Sequence, residues 1–104
     1  MSDTSDRVSS MGVRFARSAT KHRVSKERIR HVIAHCGLSF EEPAPTRDVE
    51  VLDRRLVCLG DDAAGRALEV IAVEGPGGEL IVIHAMALRD KYKAQYEEAK
   101  KWRL

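Results

Sequence analysis

His84, Arg89, Tyr92 and Tyr96 fall within one stretch of the chain, Glu79 to Trp102, ELIVIHAMALRDKYKAQYEEAKKW. Their types make a kit for moving a proton and holding a phosphate. An imidazole exchanges protons near neutral pH. A guanidinium grips a phosphate with parallel hydrogen bonds and stabilises charge building on it. A tyrosine stacks on a base or donates from its hydroxyl. Together they suffice to cleave RNA without a metal, with the 2′-hydroxyl as nucleophile. Each part also has a plainer reading. His84 fits a core histidine bonded to a backbone carbonyl, and the two tyrosines fit packing positions on an apolar helix stripe.

Other chemistries find less support. His22, His31, His35 and Cys36 are close in sequence, and His31 and His35 stand one helical turn apart. No glutamate follows His31 as in the metalloprotease motif, and there is no second cysteine pair, so neither a metal site nor a cofactor is expected. Gly75-Pro76-Gly77-Gly78 lacks the helix start that would present backbone amides to a phosphate. The serines cluster in the N-terminal tail and near helix starts, away from His84, so a Ser-His-Asp triad has no basis. Asp61-Asp62 is a carboxylate pair in a turn, where Asp is common for backbone reasons.

The candidate residues need elements to position them. Leu80 to Ile83 is a short, β-branched run that reads as a central strand buried on both faces. On that strand His84 is expected to share a face with Leu80, Val82 and Met86, because side chains alternate. Leu88, Tyr92, Tyr96, Ala99 and Trp102 then recur at helical spacing. Upstream, Gly12 to Phe15 reads as a short edge strand and Arg14 to Lys21 as a short first helix. Ser25 caps a second helix, with Glu27 in its first turn, Val24 and Ile29 as a hydrophobic staple, and Gly37 as its stop. Glu41 to Thr46, with two of the three prolines, reads as a loop. Val49 to Asp53 reads as an edge strand, Arg55 to Leu59 and Arg66 to Glu74 as strands, and Asp61 to Gly65 and Gly75 to Gly78 as turns. Short turns between consecutive strands predict an antiparallel meander.

The spacing therefore predicts an α+β domain over 11–104, preceded by a disordered polar tail over 1–10. It has a small antiparallel sheet of three to four strands, an N-terminal helical hairpin and a C-terminal helix. The expected core is Ile29, Val32, Ile33, Leu56, Cys58, Leu68, Val70, Ile81, Ile83, Leu88, Tyr92, Tyr96 and Trp102.

At 104 residues there is room for one core. No apolar run reaches the roughly 18 residues of a membrane span, and the start lacks a secretory pattern. A cytoplasmic chain is expected, with Cys36 and Cys58 as reduced core residues. Net charge is only +2, but it is unevenly spread. Arg14 to Arg30 carries seven Lys or Arg against one Glu, while Asp61 to Glu79 carries five acids against Arg66. Such a basic stretch suits RNA phosphates, or else forms a solvated helix face.

Several phrases resemble a known family. Phe15 to Ser25 (FARSATKHRVS), Leu38-Ser39-Phe40-Glu41-Glu42, Arg55 to Gly60 with Gly65-Arg66, and Ile83 to Arg89 followed by Tyr96-Glu97-Glu98 are similar to small toxins of bacterial toxin–antitoxin systems. Those toxins belong to the RelE superfamily, in its BrnT-like branch. The likeness spans about residues 13 to 102. It implies a twisted antiparallel sheet with helices on one face, and metal-independent mRNA cleavage, in some members on the ribosome. It also implies a cognate antitoxin, a small DNA-binding protein. Carried over, the basic turn supports Arg89, the early helix Lys21 and His22, and the hairpin Arg55 and Arg66. The expected catalytic set is then His84, Arg89, Arg66 and Tyr96, and the expected RNA-binding set Lys21, His22, Arg55 and Tyr92. The rival expectation is a non-catalytic regulatory module that binds nucleic acid or protein through its basic stretch.

Overall fold

A computed structural model describes residues 12–43 and 54–102. The polar start and the strand expected over Val49 to Asp53 lie outside them. Five strands form one sheet in the order β1-β5-β4-β3-β2. They are β1 (Val13–Phe15), β2 (Leu38–Pro43), β3 (Arg54–Asp61), β4 (Ala67–Glu74) and β5 (Leu80–Ala87). β2 to β5 run antiparallel to their neighbours, but β1 lies parallel to β5, with Val13 opposite Leu80 and Phe15 opposite Val82. The architecture is α+β with a mixed sheet, not the purely antiparallel sheet of three to four strands expected.

The extra strand is β2. Leu38-Ser39-Phe40-Glu41-Glu42-Pro43 alternates half-buried and exposed positions, as one-sided strands do. Its acids and proline read as a loop because they contribute nothing to a core. At a sheet edge they are compatible with pairing, and Pro43 sits at the end, opposite Arg54.

The N-terminal helical hairpin is absent. Phe15 belongs to β1, and only Arg17–Thr20 coils, as a single 3-10 turn. Arg23, at φ 63°, takes the left-handed conformation and stops any continuation. The Ser18 hydroxyl donates to the Ile83 carbonyl at 2.6 Å, pinning this turn to β5. The true helix, α1 (Lys26–Ala34), starts at Ser25, whose Oγ accepts the Arg28 N–H at 3.2 Å. That cap is worth about 1 kcal/mol. α1 ends at Ala34, three residues before Gly37.

Helical segments cover both faces of the sheet, not one. On the first face Ala19, Val24, Ile29 and Val32 pack on Cys58, Leu68, Val70, Ala72, Val82 and Ala85. Burying Ile29 and Val32 fully contributes roughly 1.5–3 kcal/mol each. On the second, Tyr92 and Tyr96 of α2 (Asp90–Lys101) pack on Val57, Leu59 and Ile71. Trp102 leaves this stripe: it is 80% exposed and belongs to no core. Its indole N–H donates to Glu98 one turn back, at 3.0 Å. No described helix is long and apolar enough to cross a membrane.

Candidate active site

The register of β5 against β4 slips by one residue. Ile71 faces His84 and Ala72 faces Val82, leaving Ile83 as the extra residue of a β-bulge. Val82 and Ala85 therefore join the first core, while Ile83 packs with the second. His84 does not share a face with Leu80 and Val82 as alternation predicts; the bulge turns it toward Glu69.

Glu69 is the residue that binds the site together. It stands on β4 between Leu68 and Val70, which face the first core, so its own side chain points to the opposite face. It is fully buried. Its Oε2 accepts from His84 Nε2 at 2.9 Å and from Arg89 Nε at 2.7 Å, and its Oε1 accepts the Arg89 backbone N–H at 2.8 Å. That backbone contact lies at the start of α2, where the helix dipole favours negative charge.

The electrostatics follow. Burial acts to raise the Glu69 pKa, but hydrogen bonds from the Arg89 side chain and backbone and from His84 overcome it, and the carboxyl titrates below its ordinary range. His84 is also pulled down: burial disfavours its cation most, Glu69 opposes this, and Arg89 and His22 add to the depression. An ionised carboxylate only accepts hydrogen bonds. His84 must then carry its proton on Nε2, which leaves the lone pair on Nδ1. At neutral pH the ring is set as a base.

The surroundings are cationic and aromatic. The His22 ring lies edge-on to His84 with centroids 5.7 Å apart. Lys21 and Arg23, the chain neighbours of His22, are exposed, as are Lys26 and Arg30 on α1, which stand over Phe15 on the first core, at 5.4 and 5.1 Å from its ring. The Arg89 guanidinium stands 5.9 Å from the Tyr92 ring centroid. Arg89 keeps 41% of its side chain exposed and His84 21%, against none for Glu69. A ligand can thus reach the two basic groups but not the carboxylate.

Of the residues singled out in the sequence, His84, Arg89, His22 and Tyr92 come together, with Lys21 next to His22. The Tyr92 hydroxyl faces away, donating to Glu42 at 2.9 Å, and burial followed by that contact pushes its pKa up to about 12. Tyr96 is buried, with its hydroxyl on Asp61 at 2.7 Å. Arg55 lies on β3, two strands from β5, opposite Glu42. Arg66 lies in the β3–β4 hairpin, where its backbone N–H donates to Asp62 Oδ1 at 2.9 Å. Asp62 also takes Arg28 Nε at 2.8 Å and the Ala64 N–H at 2.9 Å, so it serves the turn.

His31 of α1 and His35, just past its end, stack at 4.4 Å. Among the described residues no three His, Cys, Asp or Glu side chains are grouped to hold a metal. Glu69 was not a candidate from the sequence. The signal was one acid inside the apolar run Leu68 to Val73, a position that needs a buried partner. Compared with known proteins, the chain matches no family model, no curated protein and no solved structure.

Proposed function

We propose that this chain is the toxin of a bacterial toxin–antitoxin system, acting as a metal-independent endoribonuclease on mRNA. The observation that carries the chemistry is the Glu69-held pair of His84 and Arg89, one a neutral base and the other a part-exposed cation. His84 Nδ1 takes the proton of a ribose 2′-hydroxyl, whose oxygen attacks the adjacent phosphorus. Arg89 stabilises the charge on the phosphorane oxygens. The P–O bond to the 5′-oxygen then breaks, that oxygen taking a proton from water while His84 returns its own to solvent, giving a 2′,3′-cyclic phosphate. Lys21, His22 and Arg23 hold the RNA backbone beside the base. Arg55, two strands away, and Tyr96, with its hydroxyl on Asp61, are given no part in the chemical step, and Arg66, beside the Ala67 whose carbonyl accepts the Leu88 N–H, is kept as a further cation for the phosphate. The toxin assignment rests on the family resemblance together with this pair; its partner is a small DNA-binding antitoxin.

The test is growth of a bacterial host expressing the chain alone and with its neighbouring gene, with mapping of mRNA ends. Arrest relieved by the neighbour, with new cut ends that vanish for His84→Gln, supports the proposal. Unimpaired growth with folded, abundant protein overturns it. The second reading, a non-catalytic module, draws on the same carboxylate: a buried Glu satisfied by His and Arg also serves simply to fix α2 on the sheet. Folded protein that binds RNA and leaves it whole favours that reading.

A further inference from the structure

Two successive carbonyls of β5 turn toward the N-terminal segment. The Ala16 N–H donates to the Val82 carbonyl at 2.9 Å, and the Ser18 hydroxyl to the Ile83 carbonyl at 2.6 Å. Along a regular strand successive carbonyls face opposite edges. Two on one edge mark the bulge, where Ile83 is the extra residue against β4. The register of β1 with β5 stops at Phe15, opposite Val82. Just beyond it, the carbonyl that the bulge turns out of the ladder takes its donor from a side chain of the Arg17–Thr20 turn.

That bond lies between the two imidazoles of the candidate site. Ile83 directly precedes His84. Four residues after Ser18, the same segment delivers His22, whose ring stands edge-on to His84 with centroids 5.7 Å apart. The turn is closed on itself, since Thr20 Oγ1 donates to the Arg17 carbonyl at 3.2 Å and the Arg23 N–H to the Thr20 carbonyl at 3.1 Å. Ala19 buries its methyl in the first core, but apolar packing sets no direction. The Ser18 hydrogen bond sets one.

We infer that Ser18 is a positioning residue, whose hydroxyl holds the bulge so that His84 faces Glu69 and the His22 ring stays against it. The inference takes the role of His84 as a base from the proposed function, while the placement of the ring can be read without any cleavage. The charged and titratable groups that face the ring are Glu69 from β4, Arg89 from the start of α2, and His22 from this segment. Burial is the largest cause of its low titration. A bulge that loosens and admits water therefore moves it upward, toward the ordinary 6.5.

The experiment follows the histidine ring protons of the full chain by NMR across pH, with the His84 signal assigned by its loss in His84→Gln. We expect the His84 titration to move upward in Ser18→Ala and to return in Ser18→Thr, which keeps a hydroxyl. Thr20→Ala, which removes a hydroxyl bonded only within the turn, should leave it in place. On RNA, Ser18→Ala should lower kcat roughly 10–10²-fold, as misplacement of a reacting group does, with KM little changed. The inference is overturned if the His84 titration is the same with and without the Ser18 hydroxyl, if Thr20→Ala moves it as far, or if Thr does not restore it. A Ser18→Ala chain that fails to fold overturns it too, since the hydroxyl then serves the fold as a whole. If the unaltered chain cuts no RNA, the ribonuclease reading falls and the titration alone decides whether Ser18 places the ring.

Discussion

Glu69 holds Arg89 at two points: one carboxylate oxygen accepts the Arg89 backbone N–H at 2.8 Å, and the other takes its Nε at 2.7 Å. The same bond pattern sets the direction of the guanidinium and the position of the first turn of α2. A side chain from one strand thereby fixes both a reactive group and the helix behind it.

Replacing Glu69 by Gln should therefore be costly. The amide keeps one acceptor but presents N–H groups to donors that need acceptors, leaving Arg89 poorly paired. A loss of about 2 kcal/mol is expected, below the range for a fully buried ion pair because water still reaches the Arg89 side chain, 41% exposed. Urea unfolding of the two proteins measures it, and a loss under 1 kcal/mol would show that the carboxylate is not holding the helix.

His84→Gln separates chemistry from architecture. The Gln amide N–H reaches toward Glu69 as Nε2 does, but it supplies no base. Cleavage should fall by roughly 10²–10⁴-fold, the usual contribution of a positioned acid or base, while the unfolding midpoint moves little. Retained cleavage in the folded variant removes the base from His84.

Stability should fall on acidification, starting near the usual histidine value of 6.5. His84 has a depressed pKa in the fold, so below that value the unfolded chain takes up a proton that the native state resists. Glu69, also depressed, adds a second loss in the same direction at lower pH, as the fold gives up its carboxylate below the ordinary value of 4.5. Thermal midpoints between pH 7.5 and 4 follow both, and His84→Gln should flatten the upper part of the profile alone.

Tyr96→Phe tests a residue that the sequence placed in the chemistry. Its hydroxyl serves Asp61, which Lys100 also approaches at 3.5 Å. The variant should lose about 1 kcal/mol of stability and keep full cleavage activity. A large loss of cleavage at unchanged stability would return Tyr96 to the site.

What the sequence revealed was mostly local. Ser25, Val24 and Ile29 announce α1 because a cap and a staple act within a few residues. The β3–β4 and β4–β5 hairpins show for the same reason: their turns are short, and Gly65 and Gly78 sit at φ 83° and 85°. Distant pairings stayed hidden. β1 meets β5 across more than 60 residues, and no spacing in Val13-Arg14-Phe15 states which strand it joins. The bulge is equally silent, since Val82 and Ile83 are both β-branched and either phase of alternation reads as apolar. His84 and Arg89 were legible by type and nearness in sequence. Glu69 was not, because a strand acid reveals its role only when its partners arrive from another strand and a helix start. Trp102 misled, because the apolar spacing runs on beyond the length of helix that the sheet supports.

The parallel pairing of β1 with β5 sets an order of events during synthesis. Among the described residues β1 has its strand partner in Leu80–Ala87, which is made more than 60 residues later. The meander of β2, β3 and β4 pairs through neighbouring segments, so it is able to assemble while the chain still grows. Val13 to His22 must wait, and with it the His22 ring that stands against His84. The growing chain thus carries Lys21, His22 and Arg23 unseated until Leu80–Ala87 has been made, and the candidate site comes into being only once that strand pairs with β1.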